Sequence, residues 1–104
     1  MATLEKTITR VIMQYLKGRG AWAVKLHGGP FQQAGLPDIL CILDGVVMFF
    51  EVKTATGKPT KIQTHCHEQI RKAGGRVAVV RSAVEVQLLV NDLNNAELWS
   101  QFCE

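Results

Sequence analysis

The sequence predicts an α/β domain, with a small mixed sheet flanked by helices and a helical segment at its C-terminal end. Three observations carry that reading. An apolar stripe of period 3.6 opens the chain, two β-branched runs flank an Asp-Gly pair, and a capped polar helix separates that hairpin from one more β-branched run.

Each element has a local cause. Leu4, Ile8, Val11, Ile12, Tyr15 and Leu16 lie on one helical face, with Thr3 as the expected N-cap and Gly18 or Gly20 as the stop. Trp22–Leu26 reads as a short strand closed by Gly28-Gly29-Pro30, and residues 31–36 form a loop into Pro37-Asp38. Ile39–Leu43 and Val46–Lys53 are strands, and Asp44-Gly45 between them is a hairpin signal that makes them antiparallel neighbours. Thr54–Pro59 is a polar turn. Thr60 then starts a helix with Ile62, Cys66, Ile70 and Ala73 on its apolar side, ended by Gly74-Gly75. Val77–Val80 is a fourth, buried strand. Ser82 and Glu85 form a capping box for a helix carrying Val86, Leu89, Val90 and Leu93. After Asn94-Asn95, the residues Leu98, Trp99 and Phe102 make a last helical turn or two.

With 104 residues, 47% hydrophobic and 20% charged, the chain has the size and composition of one globular domain. It is read as a single unit over 1–104, with a core at about 3–81 and a C-terminal helical segment at about 82–104. No apolar run approaches the ~18 residues of a membrane span, and no charged-then-apolar leader opens it. Cys41, Cys66 and Cys103 are widely spaced and odd in number, which suits reduced thiols in a cytoplasmic protein. Charge is uneven along the chain. All 12 Lys and Arg residues lie at or before Arg81, whereas residues 82–104 hold Glu85, Asp92, Glu97 and Glu104 and no base. A basic body with an acidic end suits a polyanion-binding face, although small domains are often lopsided in charge.

The chemistry concentrates at Pro37-Asp38 and Glu51-Val52-Lys53. Side chains alternate along a strand, so Glu51 and Lys53 share a face while Val52 turns into the core. In an antiparallel hairpin, Asp38 before the first strand lies beside Glu51 near the end of the second. Two carboxylates and an ammonium then converge at one end of the sheet. Hard oxygen ligands of this kind suit Mg²⁺, which keeps waters and takes phosphate oxygens. Lys53 can orient or deprotonate an attacking water or stabilise a phosphorane. An ordinary strand ion pair with Asp38 as a turn residue accounts for the same spacing.

Gly35-Leu36-Pro37-Asp38 followed by Phe50-Glu51-Val52-Lys53 resembles the PD-(D/E)xK nuclease superfamily, and more closely its VRR-NUC (virus-type replication-repair nuclease) family. Glu5 on the first helix and Gln63 on the second occur in that family's order, and the likeness covers roughly residues 3–81. The resemblance implies a restriction-endonuclease-like αβββαβ core and a metal-dependent nuclease. It implies Asp38 and Glu51 as ligands of Mg²⁺ (with Mn²⁺ as a substitute), the Val52 carbonyl as a further ligand and Lys53 as the catalytic lysine. Glu5 would reach the metal directly or through water, and Gln63 would sit beside the lysine. Glu5 equally suits the dipole of its own helix, and Gln63 completes a capping box with Thr60.

Other residues carry weaker readings. His65, Cys66 and His67 are adjacent on a helix and lack the spacing of a zinc site. Cys66 falls on the apolar stripe. His67, four residues after Gln63, could reach a DNA phosphate but reads more simply as solvated, and His27 has no assigned role. Lys58 and Lys61, with Lys25, are expected to contact the DNA backbone. With no separate base-reading module, recognition should rest on phosphate charge and DNA shape. Stand-alone members of the resembled family look like endonucleases of branched DNA. The expectation is therefore a Holliday-junction resolvase acting as a homodimer in the cytoplasm of a bacterial or phage-infected cell. The C-terminal segment could provide part of the homodimer interface, with Trp99 and Phe102 as its candidate residues. A monomeric nickase or flap nuclease, or a non-catalytic nucleic-acid-binding module, are the alternatives.

Overall fold

The computed structural model describes residues 4–26 and 33–104. The expected Thr3 cap, the Gly28-Gly29-Pro30 closure, residues 31 and 32 and His27 lie outside the described residues. Eight elements follow in the order α1 (Leu4–Gly18), β1 (Trp22–Lys25), β2 (Ile39–Leu43), β3 (Val46–Val52), α2 (Lys61–Lys72), β4 (Arg76–Val80), α3 (Ala83–Val90) and α4 (Ala96–Ser100). The sheet has the order β1-β2-β3-β4, with β1, β2 and β3 an antiparallel meander and β4 parallel to β3. The α2 crossover makes that parallel pairing possible. The mixed α/β architecture expected from the sequence is the one observed.

Local signals explain the boundaries. Asp44 and Gly45 have φ of 52° and 78°, the two positive values that a tight hairpin turn of the right twist requires. Thr60 caps α2: its hydroxyl accepts from the Gln63 N–H at 3.2 Å, and Gln63 Oε1 accepts from the Thr60 N–H at 2.9 Å. Ser82 Oγ caps α3 by accepting from the Glu85 N–H, while the Glu85 carboxylate reaches back to the Arg81 N–H.

Alternation along the strands sorts two faces. Ile39, Cys41 and Leu43 of β2, Met48, Phe50 and Val52 of β3, and Ala78 and Val80 of β4 form one core with Ile12 and Leu16 of α1, and with Val86, Leu89 and Val90 of α3. Leu4 and Val11, the edges of the α1 stripe, stay exposed. The opposite face meets α2 through Cys66 and His67, both buried. Ile62, expected on that buried side, is exposed, so α2 is rotated from the orientation its aliphatic residues suggest.

The C-terminal segment corrects a second expectation. Trp99 is only 5% exposed and its ring stacks on Phe50 with centroids 5.9 Å apart. The Phe102 carbonyl accepts from the Val79 N–H at 2.8 Å and so covers the free edge of β4. Trp99 and Phe102 therefore close this chain's own core and edge, where burial of a large aromatic gains most. They are not an open interface.

Candidate active site

Asp38 precedes β2, and its position follows from three backbone constraints. Pro37 has no N–H and ends the ladder on that side. The Asp38 carbonyl accepts from the Leu26 N–H at 2.8 Å, extending the β1 pairing by one residue. The Asp38 N–H donates to the Phe50 carbonyl at 3.1 Å, although Ile39 is the ladder partner of Phe50. Two successive residues thus face one across the hairpin, as at a β-bulge, a device that re-aims a side chain. The side chain turns along β3, and Asp38 Oδ2 accepts from the Val52 N–H at 2.7 Å.

That bond also orients Val52. Lys53 donates its N–H to the Val80 carbonyl on β4 at 3.0 Å. Successive residues of a strand direct their backbone groups to opposite neighbours, so the N–H and C=O of Val52 both turn towards Asp38. Its carbonyl consequently joins the two carboxylates at this end of the sheet.

Gly35 lets the preceding turn pass α2. Its φ is +84°, and a Cβ there would lie 2.6 Å from the Ile62 carbonyl oxygen. No other residue type fits, because both the conformation and the space exclude a side chain. The Gly-x-Pro-Asp turn is therefore pressed against the first turn of α2, the helix that lies over Glu51.

Glu51 is 1% exposed and His67 is 0% exposed, with Glu51 Oε1 and His67 Nε2 3.1 Å apart. This corrects the reading of His67 as a solvated, phosphate-facing residue: α2 turns it inward, where DNA has no access. Burial, with the charges of Arg71 and Lys53, lowers His67 to about 4, so the imidazole is neutral and the contact is a hydrogen bond.

The carboxylates are electrostatically frustrated. Burial first, and then the adjacent Glu51 carboxyl, pushes Asp38 up from 3.8 to about 7, against the opposing pull of the Val52 N–H and Lys53. Burial likewise raises Glu51, with the Asp38 side chain and Lys53 acting against it and Glu5 reinforcing it. The two side chains lie close enough to influence each other's ionisation.

Beside Asp38 opens a cleft of about 730 Å³ lined by Glu5, Lys6, Thr9, Arg10, Lys25, Leu26 and Asp38. It brings together three of the expected residues, Glu5, Lys25 and Asp38. Lys6 and Arg10 line it too, and sequence reasoning missed them. The signal was available, since they are spaced i, i+4 off the apolar stripe of α1 and next to Glu5. Lys58 and Lys61 are exposed at the start of α2 and do not line this cleft. Gln63 is engaged in the α2 cap through its Oε1.

Lys53 is half-buried at the end of β3, and the turn beyond it is anchored by Arg81. Arg81 Nη1 donates to the carbonyls of Thr54 at 2.6 Å and Gly57 at 2.8 Å. Arg81 Nη2 holds both carboxylate oxygens of Glu104 at 2.8 Å. The acidic end of the chain is thus tied to the turn following the E-V-K strand.

A family model described as archaeal Holliday junction resolvase (Hjc) matches residues 5–95. The chain belongs to that family. A solved VRR_NUC domain shares 34% identity with it at a TM-score of 0.75, covering 88% of this chain and 98% of its own. The kinship with the VRR-NUC nucleases expected from P-D and E-V-K is therefore shown, together with the fold. Two more distant structures share the fold at 17% identity. One, a VRR_NUC domain protein, has a TM-score of 0.64 and covers 88% of each chain. The other, the Hjc Holliday junction resolvase of the archaeal hyperthermophile Archaeoglobus fulgidus, has a TM-score of 0.59 over 74% of this chain and 67% of its own. Among curated proteins none matches this chain.

Proposed function

We propose that this member of the Holliday junction resolvase family is a metal-dependent, structure-specific DNA endonuclease that cuts four-way junctions as a homodimer. The observation that carries the reading is Asp38 beside the buried Glu51 at the end of the hairpin: Asp38 accepts from the Val52 N–H and lines a cleft with Glu5, Lys6, Arg10 and Lys25. Among the described residues no group of three His, Cys, Asp or Glu side chains encloses a metal. The donor set nonetheless fits Mg²⁺ or Mn²⁺, which binds through one or two carboxylates and leaves room for water and phosphate. Asp38, Glu51 and the Val52 carbonyl would hold the ion, with Glu5 contributing directly or through water. Once bound, it supplies charge neutralisation at the scissile phosphate.

The remaining roles fall to this chain's own side chains. Lys53 orients the attacking water or takes its proton, and its charge offsets the negative charge that builds on the phosphate oxygens as the water oxygen adds to phosphorus and the bond to the leaving strand oxygen breaks. Lys6, Arg10 and Lys25 hold the neighbouring backbone phosphates in the cleft, and Lys58 and Lys61 extend the contact outside it. Two symmetric cuts need two such centres. The homodimer is supported by an open apolar face. Trp22, Ile42 and Val47 are neighbours in cross-strand register on the side of the sheet opposite α1 and α3, and each is exposed. A face of that kind suits a second copy.

Incubating the protein with a labelled four-way junction and with its matched linear duplex tests the reading, using Mg²⁺ or Mn²⁺ and EDTA and Glu51→Gln as controls. Paired symmetric cuts in the junction alone are expected, abolished by EDTA and reduced about 10³-fold or more by Glu51→Gln. Equal cutting of both substrates would retain the nuclease and remove junction selectivity. Tight binding without cutting would leave a non-catalytic module.

A further inference from the structure

The family motifs leave one fully buried polar group unexplained. His67 lies on α2 with 0% exposure, a histidine at a position the sequence offers no reason to bury. Burial of an imidazole costs free energy unless its nitrogens are satisfied, and only one of the two is. Nε2 lies 3.1 Å from Glu51 Oε1, whereas Nδ1 has no partner among the described residues. With Glu51 ionised, the state in which it holds a cation, its oxygens only accept, so Nε2 carries the hydrogen and Nδ1 is the bare nitrogen. The orphaned atom is thus the acceptor, and the donor is fully used.

We infer that His67 is a positioning residue for Glu51: its Nε2–H fixes Oε1 and thereby leaves Oε2 as the oxygen available to a bound cation. The inference rests on the metal-binding reading of Asp38 and Glu51. The construction around His67 supports it. The Thr60–Gln63 capping box sets the start of α2, and His67 follows Gln63 by one turn. The Gly35 turn packs on that same first turn of the helix, so Asp38 and His67 are referenced to one rigid element. Hydrogen bonds that hold a ligand carboxylate in one orientation commonly contribute 10–100-fold in metal affinity.

Mn²⁺ binding to the DNA-free protein, measured by titration calorimetry and by the electron paramagnetic resonance signal of free Mn²⁺, tests this. The comparison is among wild type, Glu51→Gln, His67→Leu and His67→Gln. Wild type should bind and Glu51→Gln should not. If wild type binds no Mn²⁺, the metal-binding reading fails before His67 is reached. Given binding by wild type, His67→Leu should lose 10-fold or more in affinity while keeping a cooperative melt and metal-free junction binding. His67→Gln, which restores an N–H at the same reach, should recover most of the loss. A folded His67→Leu with wild-type affinity would overturn the proposal, as would a His67→Gln no better than His67→Leu. A His67→Leu protein that fails to fold would assign the residue to the core instead.

Discussion

Asp38 is held against its own chemistry. Its folded value of about 7 lies well above the 3.8 of a free side chain, so between those limits the folded state binds more protons than the unfolded chain. Stability contributed in this way is present at acid pH and is lost as pH rises through about 7. Asp38→Asn keeps an acceptor for the Val52 N–H and removes the repulsion. It should stabilise the metal-free protein at pH 8 by about 1 kcal/mol after allowing for the partial exposure of the group, seen as a higher melting temperature, and should abolish metal-dependent cutting. Near pH 4 the gain should vanish, since the wild-type carboxyl is then protonated as well. Melting curves across that range check the sign. A variant less stable than wild type at pH 8 would mean that the pair is not strained.

Elements transmit order to the site through few contacts. The turn after Lys53 carries no regular structure of its own, and two of its carbonyls are held by Arg81. Arg81→Ala should cost about 1–3 kcal/mol, because charge-assisted bonds to backbone carbonyls are lost and partly buried acceptors are left unpaired. Its diagnostic effect is kinetic. kcat on junction DNA should fall by more than KM rises, since Lys53 is loosened while the cleft residues on α1 are untouched. A change confined to KM would assign Arg81 to DNA contact instead. The same arginine binds Glu104, and Arg81→Lys should restore little, because one ammonium cannot serve both carbonyls and the carboxylate.

At the scale of the molecule, the sheet is covered unequally. One face is sealed by α1, α3 and Trp99, while the other is covered by α2 near β3 and β4 and leaves Trp22, Ile42 and Val47 exposed. If a second copy covers that face, Trp22→Glu should convert a dimer to a monomer in sedimentation velocity without lowering the melting temperature by more than the dimer linkage accounts for. Junction cutting should then change from paired to single, uncoordinated nicks. A wild-type protein that sediments as a monomer at all concentrations would remove the homodimer from the proposed function.

Much of this was legible in the residues themselves. The hairpin at Asp44-Gly45, the caps at Thr60 and Ser82 and the alternation of β3 are consequences of backbone geometry within a few residues, so local sequence determines them. The nearness of Asp38 and Glu51 follows from them, because the hairpin register brings those positions together, whereas the bulge that aims Asp38 at the Val52 N–H shows only in the folded chain. What only the tertiary structure decided is the orientation of whole elements. The stripe through Ile62, Cys66 and Ile70 suggested which side of α2 would be buried, yet α2 faces Glu51 with His67 and leaves Ile62 exposed. Trp99 likewise fills the space beside Phe50 and does not project outward. Helical periodicity records that a face exists, but the rotation of that face about its axis is chosen by the sheet it packs on. The partners that decide it here, Gly35, Glu51 and Phe50, come from distant parts of the chain.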